Sequence, residues 1–267
     1  MKENNEFKKV KNFETEGWEK FRDENNYNLI ETLIPAIDSN RKIFFTKEKN
    51  KKYEMLQCSR GISIGEKFKN IKDLEKDVKE NQLNIDNRDK LRIDELNNII
   101  YELKNNLKRE VNVESLCEIG FRIPRLLKHY LETGYEKAIG YDVVKLNVDI
   151  ANNLGYETYQ RDFNDIENCN LENISNCDII LSYHMLEHVS RPDVVIKKIY
   201  DSIKKGCFFH VEIPVEPDGP RLRYGHLFPF HPGDMLKMLE FSGFKVLMAT
   251  NKTHEGGPWI ERYFCEK

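Results

Sequence analysis

Several things are scarce in this 267-residue chain, and each scarcity narrows what the protein can be. It has no run of about 18 consecutive apolar residues, so it offers no membrane-spanning helix. The opening residues, Met1-Lys2-Glu3-Asn4-Asn5, hold no apolar signal core, which predicts a cytoplasmic protein. Six cysteines, at 58, 117, 169, 177, 207 and 265, are scattered with no CxxC pair, so reduced thiols are expected rather than a disulfide framework. Excess positive charge is missing. Lys plus Arg number 42 against 45 Asp plus Glu, a net charge of −3, which argues against nucleic acid held by bulk charge. Glycine is sparse, 14 in all, and only Gly120 falls in the turn at 118–124. No internal repeat stands out.

What is present is charge and periodicity. Charged residues make up 33% and hydrophobic residues 39%, which predicts a soluble chain with much exposed helix. The length suffices for one large domain with a smaller appendage. Lysine, asparagine and isoleucine abound, a composition that hints at an AT-rich bacterial genome. Residues 1–26 are polar, with Phe7, Phe13, Trp18 and Phe21 interspersed, and read as a loosely attached arm. Residues 28–37 fit a short helix, and 42–46 with 53–58 fit two strands. From 71 to 107 the pattern is helical, with Ile93, Leu96, Ile99, Ile100, Leu103 and Leu107 on one face. A dimerising coiled coil needs three or four heptads and about two are available, so a homodimer is left open. The chain thus divides into a mostly helical N-terminal extension, 1–88, and a larger unit, 89–267.

From 113 onward strands and helices alternate. Ser115-Leu116-Cys117 ends in Glu118-Ile119-Gly120. Ala138-Ile139-Gly140-Tyr141 ends in Asp142, residues 157–161 end in Asp162-Phe163, and 177–183 end at His184. Helices are expected over 123–131, 144–154, 191–204 and 232–242, and further strands over 206–213, 244–249 and 260–265. This order predicts an α/β fold with right-handed crossovers. Acidic groups at the carboxyl ends of successive parallel strands are where an open sheet binds a nucleoside. Asp142 lies 24 residues after Glu118, one strand–helix–strand unit, and its carboxylate can accept both ribose hydroxyls. A nicotinamide dinucleotide would require a fuller GxGxxG and a larger substrate domain, and the chain has neither. Gly120 lets the backbone pass close to a ligand, and Pro124 suits the first turn of a helix whose amides face it.

These strand ends, with Leu186-Glu187-His188-Val189 after the fourth strand, resemble the class I S-adenosylmethionine (SAM) methyltransferases. The LEHV segment is similar to that of small-molecule members, including ubiquinone-pathway and sugar O-methyltransferases. The resemblance spans roughly residues 112–267. It implies a Rossmann-like seven-stranded mixed sheet with helices on both faces, its last two strands an antiparallel hairpin, plus the smaller N-terminal region. It also implies SAM as cofactor. Glu118, Gly120 and Arg122 would lie near the methionine, Asp142 and Val143 at the ribose, Asp162 and Phe163 at the adenine. Ser182 and Tyr183 would close the site at the end of the fourth strand. The family's first turn usually carries several glycines, and here Gly120 stands alone.

Methyl transfer to an alcohol needs a base, and histidine is the natural one near neutral pH. The candidates are His226, His184 and His188. Residues 215–231 form a long connection of the kind that binds ligands. Within it Arg221, Arg223, Tyr224 and His231 are candidate substrate contacts, the two arginines inviting a carboxylate or phosphate. The resulting expectation is carbohydrate-type biosynthesis: methylation of a hydroxyl on a small acceptor, a sugar or nucleotide-linked sugar, with no membrane or nucleic-acid partner. The alternatives are an RNA or quinone-type O-methyltransferase, or an inactive methyltransferase-like scaffold. His184-Met185-Leu186-Glu187-His188 also spells H-x-x-E-H, but an inverted zincin needs that motif inside a long helix. No metal is expected. The alternative ligand set is Glu187, His188 and His226, by resemblance to small-RNA 2′-O-methyltransferases with a Glu-x-x-Glu-His segment, from which His184 departs.

Overall fold

The computed structural model describes residues 71–216, 226–253 and 259–267. The arm, helix and strand pair expected over 1–58 lie outside the described residues, as do Arg221, Arg223 and Tyr224.

Seven strands form one sheet: β1 Ser115–Ile119, β2 Lys137–Asp142, β3 Glu157–Gln160, β4 Ile179–Tyr183, β5 Phe208–Pro214, β6 Lys245–Thr253 and β7 Trp259–Glu266. Their order is β3-β2-β1-β4-β5-β7-β6. The first five are parallel, and β7 lies antiparallel between β5 and β6. The mixed seven-stranded sheet expected from the sequence is therefore present. Strands β4 and β5 are buried along their whole length, which is why neither alternates apolar with exposed polar residues; Ser182, His210 and Glu212 are buried polar members of them.

Helices cover both faces: α1 Ile71–Asp77, α2 Asn87–Tyr101, α3 Arg125–Glu132, α4 Lys145–Asn153, α5 Pro192–Ser202 and α6 Asp234–Ser242. On one face Leu96 of α2 and Leu127 and Tyr130 of α3 pack on Leu116, Leu181 and Phe264. On the other, Ile196 and Ile199 of α5 and Leu239 of α6 pack on Ile180, Phe209 and Val211. Among the described residues no helix is long and apolar enough to cross a membrane.

The single helical stretch expected over 71–107 is broken at 83–86. Asp86 is the reason. Its carboxylate accepts the amides of Arg88 and Asp89, at 2.9 and 2.8 Å, and so starts a new helix instead of continuing the old one. The boundary drawn at 88 falls in the first turn of α2. Ahead of it, Val78 and Leu83 pack on Ile150 of α4, so residues 71–88 lie against the larger unit. The strand order reverses between β1 and β4, and the crevice above their carboxyl ends is where an open sheet of this kind takes a ligand.

Candidate functional site

The turn after β1 is built around Gly120 (φ +80°). A Cβ there would come within 2.8 and 2.9 Å of Met185 Cγ and Cβ, so no larger residue fits. Phe121 turns inward against Gly140, where a Cβ would meet its ring at 2.6 Å. Arg122 takes a left-handed conformation (φ +54°), a backbone state that favours glycine. An arginine thus holds the bend that the missing glycine would have relaxed.

Asp142, at the end of β2, locks this turn. Its Oδ2 accepts the Arg122 amide at 2.9 Å and its Oδ1 the Val144 amide at 2.8 Å. A carboxylate has about four acceptor sites, so the two amides give it a fixed direction. Val143 offers its carbonyl to Gln160 Nε2 at 3.1 Å. Asp162 Oδ1 accepts the Asn164 amide at 2.9 Å, and Phe163 is buried edge-on to Tyr141. Two orphaned atoms sit at the ends of the central strands: Glu118 Oε2 on β1 and Ser182 Oγ on β4 are buried without a hydrogen-bond partner. Burial, with Asp89 close by, pushes the Glu118 carboxyl well above its ordinary range. A glycine pressed against the chain, a directed carboxylate and unsatisfied polar atoms at the crevice suit a nucleoside-bearing ligand with a polar tail. Tyr183 is turned elsewhere, its hydroxyl on His210 Nδ1 at 2.8 Å and its ring 4.6 Å beneath the Arg92 guanidinium.

The histidines separate into different environments. His184 follows β4 in a left-handed conformation (φ +53°). Its Nδ1 lies 3.2 Å from Glu187 Oε1 and its Nε2 3.0 Å from Glu212 Oε1. Burial opposes charge on the ring, but the two carboxylates outweigh it and raise its pKa. Glu187 is buried too, yet His184 beside it holds its carboxyl down at about 2. A ring with both nitrogens facing carboxylates is suited to holding them in place. It is poorly suited to taking a proton from an acceptor.

His226 is different. Its Nδ1 meets Glu216 Oε1 at 2.7 Å, and its ring stands edge-on to His188 with centroids 4.9 Å apart. The amides of Leu227 and Phe228 both donate to the Glu187 carbonyl, at 2.7 and 3.1 Å, and this pins residues 227 and 228 to the turn after β4. Among the described residues, Glu187, His188 and His226 bring one ligand atom each to within 4.8 Å of one another. His231 is not part of that group. It is exposed, with its amide bonded to Asp234 Oδ2 at 2.9 Å.

Under the site lies a buried ionic cluster that sequence reasoning missed. Glu212 of β5 accepts Arg92 of α2 on one oxygen and Arg262 of β7 on the other. Arg262 also grips Glu95, and Arg92 grips Asp89 at 3.2 Å. A signal was available: Asp89 and Arg92 extend the apolar face of α2 toward its N-terminus, at i−4 from Ile93 and i−4 from Leu96 respectively.

His210 supplies a pH dependence. Burial, with Arg262 nearby, lowers its pKa to about 3. The unfolded imidazole titrates near 6.5, so below that pH the unfolded chain takes a proton that the folded chain refuses. Stability should therefore fall as the pH drops from about 6.5 to 5, by up to about 1.4 kcal/mol per pH unit. His129, also lowered by burial, adds in the same direction. Urea midpoints at pH 7 and 5 check this, and His210→Phe should flatten the dependence. An unchanged slope in that variant would remove His210 as the cause.

Residues 117–211 match the family model of a methyltransferase domain. No curated protein matches the chain by sequence. The [4+2]-cyclase SpnF shares the fold at 15% identity and a TM-score of 0.51, over 65% of this chain and 80% of that one. A SAM-dependent methyltransferase from Archaeoglobus fulgidus aligns at 16% identity and a TM-score of 0.46, over 64% and 94%. The magnesium protoporphyrin IX methyltransferase of Synechocystis PCC 6803, with bound SAM, aligns at 11% and 0.47, over 65% and 78%.

Proposed function

We propose, for a chain that is a class I S-adenosylmethionine-dependent methyltransferase, that the group it methylates is a hydroxyl on a small, sugar-like or phosphate-bearing acceptor. The observation that carries this is the Glu216–His226 pair, 2.7 Å apart, set beside Glu187 and His188 where β4 ends. A carboxylate on Nδ1 fixes the ring tautomer and leaves Nε2 as the basic nitrogen. An amine acceptor would need no such pair.

SAM, when bound, supplies an electrophilic methyl group. The chain's own residues do the rest. Gly120, Glu118 and Ser182 would line the methionine end, Asp142 would take the ribose hydroxyls, and Asp162 with Phe163 would border the adenine. His226 accepts the hydroxyl proton. His184 is assigned to positioning, because both its nitrogens face carboxylates. Arg221, Arg223, Tyr224 and His231 remain the proposed contacts to an anionic acceptor.

Asp142→Ala should weaken S-adenosylhomocysteine binding by roughly 1.5–3 kcal/mol, about one to two orders of magnitude in Kd. Isothermal titration reads this directly, and undiminished affinity would take Asp142 out of the cofactor site. If the wild-type chain binds no S-adenosylhomocysteine at all, the scaffold reading replaces the enzyme. The acceptor itself is sought by screening sugars, sugar nucleotides and phosphorylated alcohols with methyl-labelled SAM. Labelling only of amines would overturn the hydroxyl assignment.

A second reading is favoured by the convergence of Glu187, His188 and His226. Two imidazoles and one carboxylate suit Mn²⁺, Fe²⁺ or Zn²⁺ better than Mg²⁺. On this reading the three would hold a divalent ion that acidifies the hydroxyl, and His226 would be a ligand instead of a base. Chelator sensitivity, reversed by added Mn²⁺, selects it.

A further inference from the structure

We infer that Arg92, on the helix that precedes the sheet, is a positioning residue for methyl transfer: it fixes Glu212, Glu212 holds His184, and His184 sets Glu187 against His188 and His226. The contacts run without a break from Arg92 to Glu187, whose carboxylate brings an oxygen within 4.8 Å of a ring nitrogen of His188 and of His226. Arg92 Nε lies 3.1 Å from Glu212 Oε1, and its Nη2 grips the same oxygen. That oxygen also faces His184 Nε2 at 3.0 Å, and His184 Nδ1 faces Glu187 Oε1 at 3.2 Å. Every side chain in the line except His184 is almost fully enclosed, with 8% of Arg92, none of Glu212 and 1% of Glu187 exposed. Water therefore has little access to Arg92, Glu212 or Glu187 if a partner is lost.

The division of labour on Glu212 makes Arg92 specific. Arg262 holds Oε2, and Arg92 shares Oε1 with His184. Without Arg92, Arg262 alone restrains the carboxylate, and Oε1 can swing away from the imidazole. Glu187 then loses the contact that orients it, while its Oε2 has no hydrogen bond to compensate. Arg92 is itself braced by Asp89 and by the Tyr183 ring. A helix outside the sheet's alternating pattern thereby reaches the reacting end of the site.

This inference rests on the reading that Glu187, His188 and His226 handle the acceptor, and the test separates the two. Histidine ring ¹⁵N signals of the full chain are recorded with S-adenosylhomocysteine bound, in wild type, Arg92→Met and Arg92→Lys. Arg92→Met should displace the signals of His184, His188 and His226 together, and Arg92→Lys should restore them in part. Affinity for S-adenosylhomocysteine should stay unchanged, and kcat should fall by up to about 10²-fold, the scale of a 1 Å misplacement. A folded Arg92→Met whose His188 and His226 signals do not move overturns the relay, as does a parallel loss of cofactor affinity. If Arg92→Met does not fold, Arg92→Gln takes its place, and a folded Arg92→Gln whose His188 and His226 signals stay at their wild-type positions overturns the relay equally. Glu187→Gln with normal kcat would instead remove the acceptor reading and leave the ring signals to decide the relay.

Discussion

Replacing His226 by glutamine is expected to lower kcat by about 10²–10⁴-fold, the usual contribution of a general base, with cofactor affinity unchanged. Glutamine keeps the size and polarity of the ring but cannot take a proton. The prediction separates His226 from the neighbour that sequence reasoning ranked beside it. His184 has a carboxylate on each nitrogen, so His184→Gln should act through geometry, and its loss should follow the disorder of Glu187. Glu216→Gln should weaken catalysis less than His226→Gln, because it disturbs the tautomer without removing the base. Kinetics with the acceptor found by methyl labelling, with and without chelator, read all three. Normal turnover in His226→Gln would end both readings of the cluster, since each requires that nitrogen.

Glu212→Ala is expected to destabilise the fold by about 3–5 kcal/mol, the cost of breaking a buried ion pair on one side only. The reason is what it leaves behind: Arg92, Arg262 and His184 would all lose the same carboxylate inside the protein. Burial opposes charge at Glu212, but His184 and Arg92 hold its carboxyl far below the ordinary range. Its contribution is therefore complete above the unfolded carboxylate value near 4.3 and is lost as the pH falls below it. Exposed pairs offer the contrast. Lys145–Asp149 and Lys197–Asp201 lie on helix surfaces, where such pairs are worth about 0.3–0.5 kcal/mol. Urea unfolding at pH 7 distinguishes the cases, and a Glu212→Ala loss no larger than Lys197→Ala would contradict the buried-cluster argument.

SpnF shares the fold and is named a [4+2]-cyclase, so architecture alone does not set chemistry. The proposed hydroxyl acceptor rests on side chains near the ends of β4 and β5.

What the sequence by itself determined is local. Strand and helix periods, Gly120 in its turn, and the acids Glu118, Asp142 and Asp162 closing three strands are read within a few residues of each other. A strand buried on both faces is mostly apolar, and the strand ends mark the crevice, so the sheet was legible. One local signal was misjudged: Asp86 as a cap, which splits the expected 71–107 helix. What only the tertiary structure decided is which partners each histidine meets. His184, His188 and His226 are the same residue type near the same edge, and their surroundings differ. Glu216 reaches His226 because the Glu187 carbonyl pins residues 227 and 228. Glu212 and Glu187 enclose His184 from a neighbouring strand and the following turn. Arg92 arrives from 120 positions before Glu212. The energy of a charged group depends on its neighbours within a few ångströms and on how much water they exclude, and neither is written in the order of the residues.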